Sequence, residues 1–453
     1  MSTHTISGRA GGTGSPSSLT DLAGAAKADR NWAIDGYRAV AMLAVAVGHW
    51  LAADLRIGTD GQLVAGNALS DAPHLGWITW LLQVMPLFFV VGGYASAASL
   101  DAHRRTGGRD NDWVSARLRR LYAPVALLAA VWLAIIVVTG LLGVGALGVA
   151  AAGAAAIPLW FIANYTIDTA IAPKTLPRFR RNPGRFVGTL VGVFAALELL
   201  RFLAVPVLSS VLPQANWVIG WLLFQVAGFA WRDGLIVPGR RLVTVAVAAL
   251  AGALALVTVG PYPVSMVHFP GIGSLSPTYP PSLALMLFGI GYSGLAIAAA
   301  PAVNRLFDRR PGLWTATVAA NAVAMSVYLW HFTAAAAAGA VMYATGTLPT
   351  AAVGTGAWWL QKVPFLALAT IVLVGLVSRV ARVEQGALLA PRTATTFSYP
   401  ALLGMAGVLS LAVKLGWTSH TPGGIVAGCT VVLVGYLVVL HRPDRKIGAT
   451  LRG

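Results

Sequence analysis

The chain is poor in cysteine and in charge. One cysteine, Cys429, stands among 453 residues. A single thiol excludes an intrachain disulfide framework, a cysteine-built zinc site and a paired-cysteine redox centre. Charged residues make up only 10% of the chain while 57% is hydrophobic. That balance excludes an ordinary soluble domain and fits a chain threaded repeatedly through a bilayer. Acidic residues are scarcest, 15 against 32 Lys and Arg. The excess looks like a nucleic-acid footprint, but the cations fall in short clusters between apolar runs, which is the positive-inside pattern. There is no Gly-x-Ser-x-Gly nucleophile elbow, phosphate-binding P-loop or dinucleotide fingerprint. No internal repeat is evident, which weighs against a transporter built from repeats.

What is abundant is long apolar runs. Stretches able to cross a bilayer fall near residues 33–53, 76–99, 122–143, 147–168, 187–208, 216–231, 242–260, 282–301, 317–343, 361–379, 399–416 and 424–440. The expected fold is an all-α polytopic helical bundle of about twelve spans. Residues 1–30 are rich in Gly, Ser and Thr and lack the apolar core of a cleavable signal peptide, so they read as a disordered tail. With that tail in the cytoplasm, 27 of the 32 cations lie on the cytoplasmic side of the alternation. Arg56, Lys362 and Lys414 fall outside, and Arg38 and Arg201 within spans. The pattern places both termini in the cytoplasm of a multi-pass inner-membrane protein. The longest outer loop, about residues 261–281, is rich in Pro and Gly and almost uncharged. Such a loop is expected to pack as a lid or re-entrant piece.

The first run, IDGYRAVAMLAVAVGHWLAADL, carries Asp35, Arg38 and His49. Eleven helical steps come to roughly three turns, so Arg38 and His49 share one face about 16 Å apart along the axis. Ionisable groups inside a membrane helix are costly and usually functional. Asp35, three residues before Arg38, can pair with it. Arg38 has a second reading as an anchor snorkelling to the interface. A neutral His49 can take a proton from a hydroxyl near working pH. Glu198 and Arg201, three apart, read either as a structural ion pair or as a functional one. The His49–Asp54 spacing occurs in glycerolipid acyltransferases, but five helical steps set the two about 140° apart, and we treat it as coincidence.

The run IDGYRAVAMLAVAVGH resembles the first-helix signature of the acyltransferase-3 family of integral membrane O-acyltransferases. The segments FFVVGGYA (Phe88–Ala95), RLRRLYAP (Arg117–Pro124), LWFIANY (Leu159–Tyr165), FQVAGFAWRDG (Phe224–Gly234) and AMSVYLWHF (Ala324–Phe332) resemble further family motifs and follow in family order. The resemblance implies a ten-helix membrane domain over about residues 31–390. Residues 391–453 then hold two extra C-terminal spans and a short tail. It implies acyl transfer, often acetyl, from acyl-coenzyme A as co-substrate to a hydroxyl of a carbohydrate, cell-envelope glycan, glycolipid or glycosylated metabolite. No metal, bound cofactor or nucleic acid is expected. His49 is the implied base, with Arg38 and Asp35 beside it. Arg117, Arg120, Trp330 and His331 are implied substrate contacts. For His331 a hydrogen-bonded core histidine is the competing reading, and for Arg117 and Arg120 a purely topological role. A twelve-span secondary transporter is the rival function.

Overall fold

The computed structural model describes residues 31–203, 211–273, 275–389, 401, 403–410 and 422–436. The N-terminal tail, half of the eleventh apolar run, Lys414 and His420 lie outside the described residues. The described chain is overwhelmingly helical. The long helices are α1 (Trp32–Ala52), α2 (Met85–Arg105), α3 (Asp110–Leu141), α4 (Gly145–Ala156), α5 (Leu159–Arg181) and α6 (Pro183–Leu200). They continue with α7 (Asn216–Arg232), α8 (Arg240–Thr258), α9 (Leu283–Arg309), α10 (Pro311–Ala344), α11 (Gly356–Leu389) and α12 (Pro422–Gly435). This is a multi-pass membrane protein. Its outward faces are apolar: on α1, Val40, Leu43 and Val47 recur at helical spacing and are exposed, while Ala41, Met42 and Val45 turn inward. In lipid that exposure costs nothing.

Seven of the described helices are long and apolar enough to span a membrane, and α4 with α5, bent by 41° at their junction, makes an eighth. The count of twelve is not reached on that measure, for local reasons. Asp35, Arg38 and His49 dilute the apolar character of α1. Helix α7 has 17 residues and α12 has 14.

The expectation of a purely helical chain needs one correction. After Ala52 the chain forms a hairpin, β1 (Ala53–Ile57) antiparallel to β2 (Leu63–Asn67), with Asp54 opposite Gly66. The turn is made at Gly61, whose φ of 76° suits glycine. Asp54 is buried and accepts from Arg56 at 2.9 Å, and Arg56 also reaches Asp71 at 2.6 Å. Helix α1 therefore ends before Asp54, whose carboxylate is engaged within the hairpin, consistent with reading the His49–Asp54 spacing as coincidence.

Helices α2, α5 and α7 run in one direction. Phe89 stacks on Trp221 at 4.8 Å and meets Phe161 edge-on at 5.3 Å. At their far ends Arg180 makes paired bonds to Asp101, both 2.8 Å, and to Asp233, both 2.7 Å. Between these layers α2 and α7 touch backbone to backbone. A Cβ on Gly93 would fall 2.0 Å from the Gln225 carbonyl oxygen, and one on Gly228 would fall 2.0 Å from that of Val90. The glycines of FFVVGGYA and FQVAGFAWRDG thus serve a close helix crossing, the usual role of small residues between membrane helices.

The 261–281 loop is packed down, as its composition suggests. Tyr262, Met266 and Phe269 are buried. The Trp80 indole donates to the Val264 carbonyl at 2.8 Å and the Gln83 amide to that of Met266 at 2.7 Å. Glu198 accepts from the Tyr262 hydroxyl at 2.7 Å and the Leu283 amide at 3.1 Å. Arg201 bonds Glu198 at 3.2 Å and the Ser276 carbonyl at 3.3 Å. Burial, reinforced by the Glu198 carboxylate, pushes the Tyr262 hydroxyl above its ordinary range, so it remains a donor. Of the two readings for Glu198 and Arg201, these contacts fit the structural one: the pair ties the loop to the bundle.

Candidate active site

Helix α1 lies against α10, and its two ends are fastened there and to α11. At its start, the Asn321 side chain accepts from Arg38 Nε at 2.8 Å and donates to the Asp35 carbonyl at 2.8 Å. Asp35 is buried and accepts from Arg38 Nη2 at 3.4 Å. At its end, the buried Lys362 ammonium donates to the carbonyls of Trp50 (3.3 Å) and Ala53. A cation suits the negative end of a helix dipole. In the same last turn, the Trp50 indole donates to the His331 carbonyl at 2.9 Å.

These fastenings hold two histidines together that are 282 residues apart in the chain. His49 Nδ1 lies 2.8 Å from His331 Nε2, and the rings are within 8° of parallel. His331 is fully buried; His49 is half-buried. The remaining nitrogen of His331, Nδ1, is 2.6 Å from the Tyr328 carbonyl oxygen. That oxygen can only accept, so His331 Nδ1 carries a proton. In the neutral ring Nε2 is then a bare acceptor, and His49 Nδ1 must donate to it. The chain of bonds leaves His49 with its lone pair on Nε2, away from His331. The order carbonyl, imidazole, imidazole fixes a tautomer just as a carboxylate fixes the histidine of a hydrolase triad. Phe332 packs on both rings at 4.9 and 4.8 Å.

Arg38 stands about three turns below His49 on the same helix. The Arg117 guanidinium lies within electrostatic reach of Arg38, Arg120 and the Tyr165 hydroxyl. It stacks on Trp113 at 4.6 Å and donates to Ser99. A Cβ at Gly92 would meet the Tyr165 ring at 2.9 Å, so that glycine makes room for the tyrosine beside Arg117. Arg117 is half-buried and Arg120 exposed.

A family model for an acyltransferase domain matches residues 31–383. The chain belongs to the acyltransferase-3 family. No curated protein and no solved structure matches it. The match begins one residue before α1 and ends one residue before Glu384, so it takes in both histidines, the arginine cluster and every motif quoted above. This acyltransferase therefore carries, within its family domain, a tautomer-fixed imidazole in the last turn of α1 and a cluster of guanidinium groups near the start of that helix. The imidazole can take a proton from a hydroxyl. The guanidinium groups can bind phosphate or carboxylate.

Of the candidate residues, the structure gathers His49 with His331, and Arg38 with Asp35, Arg117 and Arg120. Trp330 is buried next to His331, and its indole donates to Glu384 at 3.3 Å. Glu384 also accepts from Ser326 at 2.5 Å. Three residues here escaped the sequence reading. Asn321 is a lone amide in an apolar run, and Glu384 a lone acid between α11 valines and arginines. Lys362 was assigned only a side of the membrane. A polar residue isolated in an apolar segment was the signal available for each.

Proposed function

We propose that this acyltransferase moves an acyl group, acetyl by preference, from acyl-coenzyme A to a hydroxyl of a carbohydrate, cell-envelope glycan, glycolipid or glycosylated metabolite. The observation that carries the reading is the His49–His331–Tyr328 chain of hydrogen bonds, which leaves one basic nitrogen on a half-buried ring. His49 Nε2 takes the proton of the acceptor hydroxyl as its oxygen attacks the thioester carbonyl. The carbon–sulfur bond breaks, and the coenzyme thiolate recovers the proton from His49. The transient imidazolium keeps its Nδ1–H on His331, whose own Nδ1–H rests on the Tyr328 carbonyl. Arg38, held by Asn321 and Asp35, faces the donor together with Arg117 and Arg120. His331 backs the reacting ring, and its neighbour Trp330, bonded to Glu384, is the proposed substrate contact. Nothing favours the transporter reading.

Purified protein in liposomes without any gradient should transfer labelled acetyl from acetyl-coenzyme A. Arg38→Ala should raise the KM for the donor more than Arg38→Lys, because lysine keeps the charge and loses the fork. Equal donor kinetics in parent and both variants would make Arg38 an anchor.

The same reading places the protein in the inner (plasma) membrane with twelve spans and both termini in the cytoplasm. The basic ends of α2, α5 and α7, joined by Arg180, then face the cytoplasm, and the hairpin and the 261–281 loop face outward. Single cysteines placed near Arg180 in a Cys429→Ala background should resist an impermeant thiol reagent in intact cells. One at Gly271 should react. The reverse pattern inverts the topology.

A further inference from the structure

A cleft of about 360 Å³ opens at the basic face between α5 and the link from α2 to α3, apart from the histidine pair. Its lining carries four cations, Arg104, Lys174, Arg178 and Arg181, and one acid, Asp110. The volume lies within the range of small-ligand sites. The cations are placed by the sequence of α5. Pro173 and Pro177 lie inside that helix. Pro177 has no N–H to offer the Pro173 carbonyl four residues back. Arg104 Nη2 fills that place at 3.1 Å while its paired bonds to Asp110, 2.9 and 3.0 Å, hold it across the opening. Lys174, Arg178 and Arg181 follow at spacings of four and three, so they share one helix face. Like charges so spaced repel. Arg180, on another face, is already committed to Asp101 and Asp233. One acid thus stands against four cations in a concave site.

From this cleft α3 leads inward. Arg117 is seven residues beyond Asp110, on the same face and about 10 Å further along the axis. Arg117 in turn lies within electrostatic range of Arg38, below His49. Guanidinium groups are thus spaced from the cleft inward toward the site.

We propose that this cleft binds phosphate groups, those at the nucleotide end of the acyl-coenzyme A donor, while the thioester arm passes Arg117 and Arg38 toward His49. The inference rests on the donor assigned under Proposed function. An anionic lipid headgroup offers the same chemistry, and the test separates the two. Parent protein and the double variant Arg178→Gln/Arg181→Gln are placed in nanodiscs of phosphatidylcholine alone. Binding of adenosine 3′,5′-bisphosphate is measured by calorimetry, and turnover is measured with acetyl-coenzyme A and with acetyl-pantetheine, which lacks the nucleotide. The double variant should bind the bisphosphate about tenfold more weakly, and its preference for acetyl-coenzyme A over acetyl-pantetheine should fall by about the same factor. The difference should shrink in about 0.5 M salt. Should the double variant fail to fold, Arg181→Gln alone should show a drop of about threefold in both readouts. A parent that uses acetyl-coenzyme A, with a variant of unchanged affinity and preference, overturns the cleft and leaves the donor standing. A parent that neither binds the bisphosphate nor uses acetyl-coenzyme A overturns the donor and the inference with it. Variant and parent differing only once phosphatidylglycerol is added would make this a lipid site.

Discussion

His49→Ala should lower acyl transfer by about 10²- to 10⁴-fold, the usual cost of losing a general base, while the protein still inserts and folds. The size of the effect follows from the geometry. His49 is the half-buried member of the pair, and its Nε2 is the nitrogen that neither His331 nor a carbonyl occupies. His331 cannot replace it, because both of its nitrogens are engaged, one to His49 and one to the Tyr328 carbonyl. The ring also contributes little to assembly compared with Trp50, whose buried indole joins α1 to α10. The measurement is turnover in a variant whose yield and thermal midpoint match the parent. Near-normal turnover there would remove His49 from the chemistry.

His331→Phe should cost nearly as much. Phenylalanine fills much of the imidazole volume but offers His49 Nδ1 no acceptor. His49 is then free to put its proton on Nε2, the wrong atom, and to turn away from the hydroxyl. Fixing the tautomer of a catalytic histidine is worth up to about 10⁴-fold in a hydrolase triad. With a neutral partner in place of a carboxylate we expect a loss of about 10²- to 10³-fold. His331→Gln is the informative companion, since its amide oxygen can accept from Nδ1 and should recover part of the rate. A structural role for His331 predicts the opposite order, with Phe tolerated and Gln, a buried amide, destabilising. Turnover and thermal midpoint read together for the two variants decide between them.

Much of the helical layout was legible because apolar runs separated by cation clusters leave few other arrangements in a bilayer. Arg38, His49 and His331 stood out for the same reason: an ionisable group in an apolar helix has few inert explanations. What could not be read was the partnering. Nothing local to His49 says that its ring meets one 282 residues later. Nothing near Tyr328 says that its carbonyl would fix the proton on His331, since every residue has a carbonyl and only the fold selects which one is used. The hairpin at Ala53–Asn67 was missed because two five-residue strands carry too little alternation to compete with the apolar helix before them. Pro173 and Pro177 were visible, but their effect, a carbonyl left for Arg104, depends on a helix 69 residues away.

The fastening of α1 has a consequence for the order in which this protein comes into being. The helix that carries His49 leaves the ribosome well before the helices that fasten it. Asn321 holds its start, His331 and Lys362 its last turn, and all three are made only after α1 to α9. Until then α1 sits in the membrane without the partners that Asn321 supplies to Arg38 and the Asp35 carbonyl and that His331 supplies to His49. The site is thus assembled late, from one early helix and two much later ones, as the chain closes on itself. A nascent chain halted before Asn321 holds its general base in the membrane but is not yet an enzyme. Early release of the chain would therefore leave no partly active acyltransferase behind.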